Sequence, residues 1–95
     1  MDLQKFQKEL HNWQLKTFPQ STLLSKLAHL KKEVIELDQN PTDGYEMADI
    51  IMLVCGMAAI EGIDISSVLQ EKFEINKKRK WGTPDKDGVV LHINE

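Results

Sequence analysis

An all-α fold of four helices is predicted by three features of the sequence. Apolar residues recur at three- and four-residue intervals in four successive segments, helix-stopping and helix-capping residues fall between those segments, and only one short β-prone run is present. The first segment runs from about Asp2 to Phe18, with Leu3, Phe6, Leu10, Trp13 and Phe18 at roughly helical spacing and Pro19 as its stop. Ser21 or Thr22 can cap the second, whose stripe is Leu23, Leu27, Leu30, Val34 and Leu37, and the turn-forming "DQNPTDG" ends it. Asp43 and Glu46 have the form of a capping box for the third. From Met47 to Ile60 its apolar residues lie almost all round the helix, and Gly62 terminates it. Ser67 with Gln70 has the form of another capping box, opening a fourth helix through Leu69, Phe73 and Asn76 to about Lys80 before Trp81-Gly82-Thr83-Pro84. The tail "DKDGVVLHINE" offers an Asp-Gly turn and a β-prone run, Val89 to Ile93, with no second strong strand to pair with it; a short C-terminal arm is expected.

A chain of 95 residues bounds the molecule to one small domain, residues 1–95. Four helices of this size cannot enclose a third helix that is apolar round most of its circumference. Assembly into an oligomeric helical bundle, a homodimer or homotetramer, follows as the expectation. The single cysteine, Cys55, lies in the apolar run and reads as a buried core residue of a reducing compartment. Neither a signal peptide nor an apolar run long enough for a bilayer is visible, so a cytoplasmic protein with no membrane partner is expected. The net charge of −3 opposes a general nucleic-acid binder, although "KKRK", residues 77 to 80, is locally basic.

Two carboxylate pairs of the same form flank the turn between the second and third helices: Glu33 with Glu36, and Glu46 with Asp49. The i, i+3 spacing puts each pair on one helix face, about 60° apart. Taken alone, Glu33 and Glu36 read as a solvated flank, and Glu46 as a capping partner favoured by the helix dipole. Asp49 fits such a role poorly, because it shares the line of Leu53, Met57 and Ile60, where an unpaired carboxylate is costly. An antiparallel hairpin would bring all four acids together. They would then repel one another unless a hard divalent cation lay between them, so magnesium is the expected ion, with manganese as its substitute. His11, His29 and His92 have no paired ligand spacing, and His29 reads as a helix-surface residue.

A second constellation suits a phosphate ligand. Lys72, Asn76 and Arg79 recur at i, i+4 and i+7 and share a face of the fourth helix, while the outer lysines 77, 78 and 80 complement its C-terminus. Trp13 and Phe18 can stack on a base, or serve as core.

The ordered set "WQLKTF", "HLKKEVIEL", "YEMADIIMLVCGMA", "EKFEINKKRKW" and "DGVVLHI" resembles the MazG-like all-α nucleoside triphosphate pyrophosphohydrolases, and most closely their dATP/dGTP pyrophosphohydrolase branch. The resemblance spans nearly the whole chain. It implies a MazG-like four-helix core and magnesium-dependent hydrolysis of a nucleoside triphosphate to the monophosphate and pyrophosphate. By the same resemblance Glu33, Glu36, Glu46 and Asp49 would ligate the metal, with Glu33 or Glu36 also serving as base. Lys72, Asn76 and Arg79 would contact phosphate or sugar, and Trp13 and Phe18 the base. Lys32 stands where many MazG-like proteins have an additional glutamate, which leaves a second reading open: a helical dimerisation or regulatory module that binds nucleotide without turning it over.

Overall fold

Side-chain caps set where each helix begins. In a computed structural model that describes residues 1–93, Asp2 opens α1 (Leu3–Thr17), Thr22 opens α2 (Leu23–Gln39), Asp43 opens α3 (Gly44–Ile60) and Asp64 opens α4 (Ile65–Lys78). Each cap's oxygen accepts a backbone N–H that the helix itself cannot satisfy. Thr22 does so reciprocally with Ser25: Ser25 N donates to Thr22 Oγ1 at 3.1 Å, and Thr22 N donates to Ser25 Oγ at 2.8 Å.

Two expectations are corrected here. The fourth helix starts at Ile65 and not at a Ser67–Gln70 box, because Asp64 caps Ser66 N and also takes the Ser67 hydroxyl at 2.8 Å. Asp43 caps Tyr45 N at 2.9 Å, but its own N–H goes to Asn40 O at 3.0 Å rather than to Glu46. Glu46 is therefore released from capping and can face elsewhere.

The end of α3 is a Schellman motif. Gly62 adopts φ +67, its N–H reaches Ala59 O, and Ile63 N reaches Ala58 O at 2.8 Å. A β-carbon would be strained at that φ, which is why glycine stands there. The chain then bends by 109° into α4. Gln7 of α1 secures this corner: its Nε2 donates to Ile63 O at 2.8 Å and Cys55 O at 3.5 Å, and its Oε1 accepts from Ile65 N at 3.0 Å.

Helix α3 is the centre. It packs along α2 in an antiparallel hairpin and along α1, while α4 rests chiefly on α1. Leu10, Leu53, Cys55 and Ala58 are the buried apolar core, with Cys55 only 2 % exposed. Gly56 lets α1 approach closely, since a β-carbon there would lie 2.6 Å from Gln14 Oε1. The rest of the apolar surface is not enclosed by one chain: Met47, Ile51 and Val54 of α3, Val34 and Ile35 of α2, and Leu69 and Phe73 of α4 are exposed. Val34 thus departs from the buried stripe expected of it. No single described helix is long and apolar enough to cross a membrane.

The C-terminal segment is the expected short arm, and no second strand pairs with it among the described residues. Asp85 to Gly88 form a turn with Gly88 at φ +79, and the chain folds back so that Gly82 N donates to Leu91 O at 2.9 Å and Ile93 N to Lys80 O at 2.8 Å. The resulting antiparallel bridge joins Trp81 to His92. The bridge is made with the irregular segment after α4, which has no strand propensity of its own to read; residues 94 and 95 of the tail lie outside the description.

Candidate active site

The turn Asn40–Asp43 reverses the chain so that the middle of α2 faces the first turns of α3. Carboxylate oxygens of Glu33, Glu46 and Asp49 consequently lie within 4.8 Å of one another. Glu36 stands beside Glu46 and completes the group at its edge. The hairpin reading of the acids is what the tertiary structure produces, with a different distribution of burial. The Glu33 side chain is only 12 % exposed, whereas Asp49 and Glu36, one expected to be costly on an apolar line and the other on the flank, keep contact with solvent.

Two features make this cluster electrostatically unsatisfied. Oε2 of Glu33 and Oε2 of Glu46 are buried without a hydrogen-bond partner among the described residues. The Glu46 carboxyl pKa is pushed up, first by loss of water and then by the charges of Glu36 and Glu33, a hydrogen bond with Glu36, and Asp43. Buried carboxylate oxygens without donors are costly, and a cation of hard, oxygen-seeking character is the partner they fit. The other oxygen of Glu33 is held: His29 Nε2 lies 3.0 Å from Oε1, one turn earlier on α2. His29 is exposed on the helix surface, as expected, but it also orients a member of the cluster.

A cleft of about 430 Å³ opens above the acids between α1, α2 and α3. Glu33 and Asp49 lie in its wall, and Trp13 and Phe18 line it with ring centroids 5.4 Å apart at 88°. Both aromatic residues thus share one cavity with the acids. Lys26, Gln14 and His29 line it too, and the sequence reading assigned none of them to a ligand. One signal was present, since Lys26, His29 and Glu33 sit at i, i+3 and i+7 on α2 and so share a face. Lys32 is exposed and does not line the cleft, so the lysine at that position brings no charge into it.

The α4 residues lie elsewhere. Lys72 and Asn76 border a separate groove with Leu3, Ser66, Leu69 and Phe73. Arg79, just past the helix end, directs its guanidinium to His92 Nδ1 at 3.4 Å, while Asn76 O accepts from Trp81 Nε1 at 3.0 Å. Within one chain these three do not join the acids.

Known proteins share this arrangement of helices. A solved structure of a Cyanophage S-2L MazG-like pyrophosphohydrolase, bound to dGDP and three catalytic Mn2+ ions per active site, matches with a TM-score of 0.85 at 26 % identity, over 100 % of this chain and 96 % of that one. A dATP/dGTP diphosphohydrolase of Salmonella phage PMBT28 is 36 % identical over 88 residues, 92 % of this chain and 30 % of that protein. A dATP/dGTP diphosphohydrolase of Cyanophage S-2L is 32 % identical over 69 residues, 70 % of this chain and 65 % of that protein. The chain therefore spans less than two thirds of the length of either curated relative. The family model for dATP/dGTP pyrophosphohydrolase matches residues 6–95, so nearly the whole of this four-helix chain is accounted for and it belongs to that family.

Proposed function

We propose that the protein hydrolyses purine deoxynucleoside triphosphates, dATP and dGTP, to the monophosphate and pyrophosphate, using Mg2+ or Mn2+ held by Glu33, Glu36, Glu46 and Asp49. The observation that carries the proposal is the pair of buried oxygens, Glu33 Oε2 and Glu46 Oε2, that have no donor among the described residues, in a three-carboxylate cluster at the wall of an aromatic-lined cleft. When bound, the divalent ions neutralise the phosphate chain and favour ionisation of water. Glu33, fixed by His29, is suited to hold its ligand geometry with little reorganisation. Glu36 is exposed beside Glu46, and from there its carboxylate can take the proton of an attacking water. Trp13 and Phe18 offer ring faces to a base.

Lys72, Asn76 and Arg79 are the proposed phosphate contacts, and they require a second copy. They line or border a groove away from the acids of their own chain, and Leu69 and Phe73 beside them are exposed apolar side chains that association would cover. A homodimer or homotetramer that seats α4 against a neighbouring cleft would supply both needs. The test is a panel of nucleoside triphosphates incubated with Mg2+ or Mn2+, with separation of products. Monophosphate and pyrophosphate from dATP and dGTP support the proposal; release of orthophosphate alone, or no product from any nucleotide, overturns it.

A further inference from the structure

The polar residue that the fold buries most deeply in the cleft is a lysine. Lys26 is 5 % exposed, lines the cleft, and has no ion pair or hydrogen bond to a described residue. Enclosing this cationic side chain in the cleft with no partner among the described residues strips part of its hydration, and that burial lowers its pKa. A lysine carries donors only, so what it awaits is an acceptor.

Its position indicates which part of a nucleotide supplies that acceptor. Lys26 and Glu33 are seven residues apart on α2, roughly 10 Å at 1.5 Å per residue. Side chains on a helix lean toward its N-terminus, which carries the lysine head further from the acids and toward the end of the cleft formed by Trp13, Phe18, Ser21 and Ser25. A metal held by the acids binds phosphate oxygens at about 2.1 Å, while Lys26 shares the cleft lining with Trp13, Phe18, Ser21 and Ser25. The lysine therefore belongs to the aromatic end, where a base would stack.

Adenine and guanine present opposite groups at their six-position, an amino donor and a carbonyl acceptor, but both carry an acceptor at N7. N3 is the other shared ring acceptor, but it is hemmed in by the sugar and, in guanine, by the neighbouring amino group. Pyrimidines have no counterpart of N7. Resting on the purine nucleotide hydrolysis proposed above, we infer that Lys26 donates a hydrogen bond to N7 of the bound base and so admits both purines while disfavouring pyrimidines.

Calorimetric binding of dGDP, 7-deaza-dGDP and 3-deaza-dGDP with Mn2+ tests the contact independently of turnover. The unaltered protein is expected to bind 7-deaza-dGDP about 10- to 100-fold more weakly than dGDP, and 3-deaza-dGDP about as well as dGDP. Lys26→Met and Lys26→Gln should each bind dGDP at that weakened level and lose the distinction between dGDP and its 7-deaza form. The inference is overturned if the lysine variants keep full affinity, if the losses from variant and analogue multiply, if 3-deaza-dGDP is the analogue that binds weakly, or if no purine nucleotide binds. Hydrolysis of dGTP by the same samples separates the two ideas: binding with the expected N7 dependence but no turnover removes the activity and leaves the contact, whereas turnover without N7 dependence does the reverse.

Discussion

His29 Nε2 sits 3.0 Å from Glu33 Oε1, and the opposite oxygen of the same carboxylate, Oε2, is buried without a partner among the described residues. One oxygen is thus fixed by the protein and the other is left for a cation. Groups that orient metal-binding carboxylates commonly matter 10- to 100-fold to metal affinity. His29→Ala should weaken Mn2+ binding by about 10-fold, read by calorimetric titration, and His29→Gln, which retains a donor, should recover part of the loss. Equal affinity in all three proteins would remove the orienting role.

Repulsion within the acid cluster gives a second expectation. Glu46→Gln removes the carboxyl that Glu36 and Glu33 crowd, so the metal-free protein should melt at a higher temperature than the unaltered one. Addition of Mn2+ should reverse the order. A ligand at 100 times its dissociation constant stabilises the folded state by about 2.7 kcal/mol, and the variant should lose most of that gain together with nucleotide hydrolysis. Thermal melts with and without metal check both halves.

Gln7 makes a prediction about stability alone. Its amide serves Ile63 O and Ile65 N where α3 turns into α4, and Gln7 is buried. Gln7→Ala leaves those backbone groups without their partner and should cost about 1–3 kcal/mol in denaturant unfolding. Gln7→Glu keeps the acceptor for Ile65 N but loses the donor to Ile63 O, and should be destabilised as well.

Lys26 should make stability depend on alkaline pH. Burial lowers its pKa below the ordinary 10.5, so the folded protein releases this proton before the unfolded chain does. Below the folded pKa the whole cost of the buried charge is present; as pH rises through that value toward 10.5, the cost fades. Lys26→Met should therefore stabilise the protein at neutral pH, and its advantage should shrink on going to alkaline pH. Melting temperatures of both proteins between neutral and alkaline pH give the comparison.

Phe73 is exposed on α4, with Lys77 Nζ 4.7 Å from its ring centre. If this face is covered by a second copy, Phe73→Glu should shift sedimentation toward the monomer and reduce hydrolysis by at least about tenfold, although no residue of the cleft is altered. A variant that remains associated and active would separate α4 from the interface.

The sequence by itself determined four helices and the acid hairpin, because both depend on local rules. Periodicity assigns Leu10 and Leu53 to buried faces, an Asp or Thr before an apolar run caps a helix, and two i, i+3 acid pairs on either side of a short turn must approach one another. Even here the true cap of α4, Asp64, stood beside a competing Ser67 pattern, and only the bend after Gly62 decided between them. Tertiary packing alone decided which carboxylates are buried. It left Glu33 mostly covered and Asp49 toward solvent, because burial depends on how the helices close on one another, whereas the His29–Glu33 contact within α2 and the Asp43–Asn40 turn bond that frees Glu46 are local. It likewise buried Lys26, a residue that sequence pattern places as readily at a surface, and separated Lys72, Asn76 and Arg79 from the acids of their own chain. Residue type and spacing fix what a side chain can do; the distance between helices remote in sequence fixes what it meets.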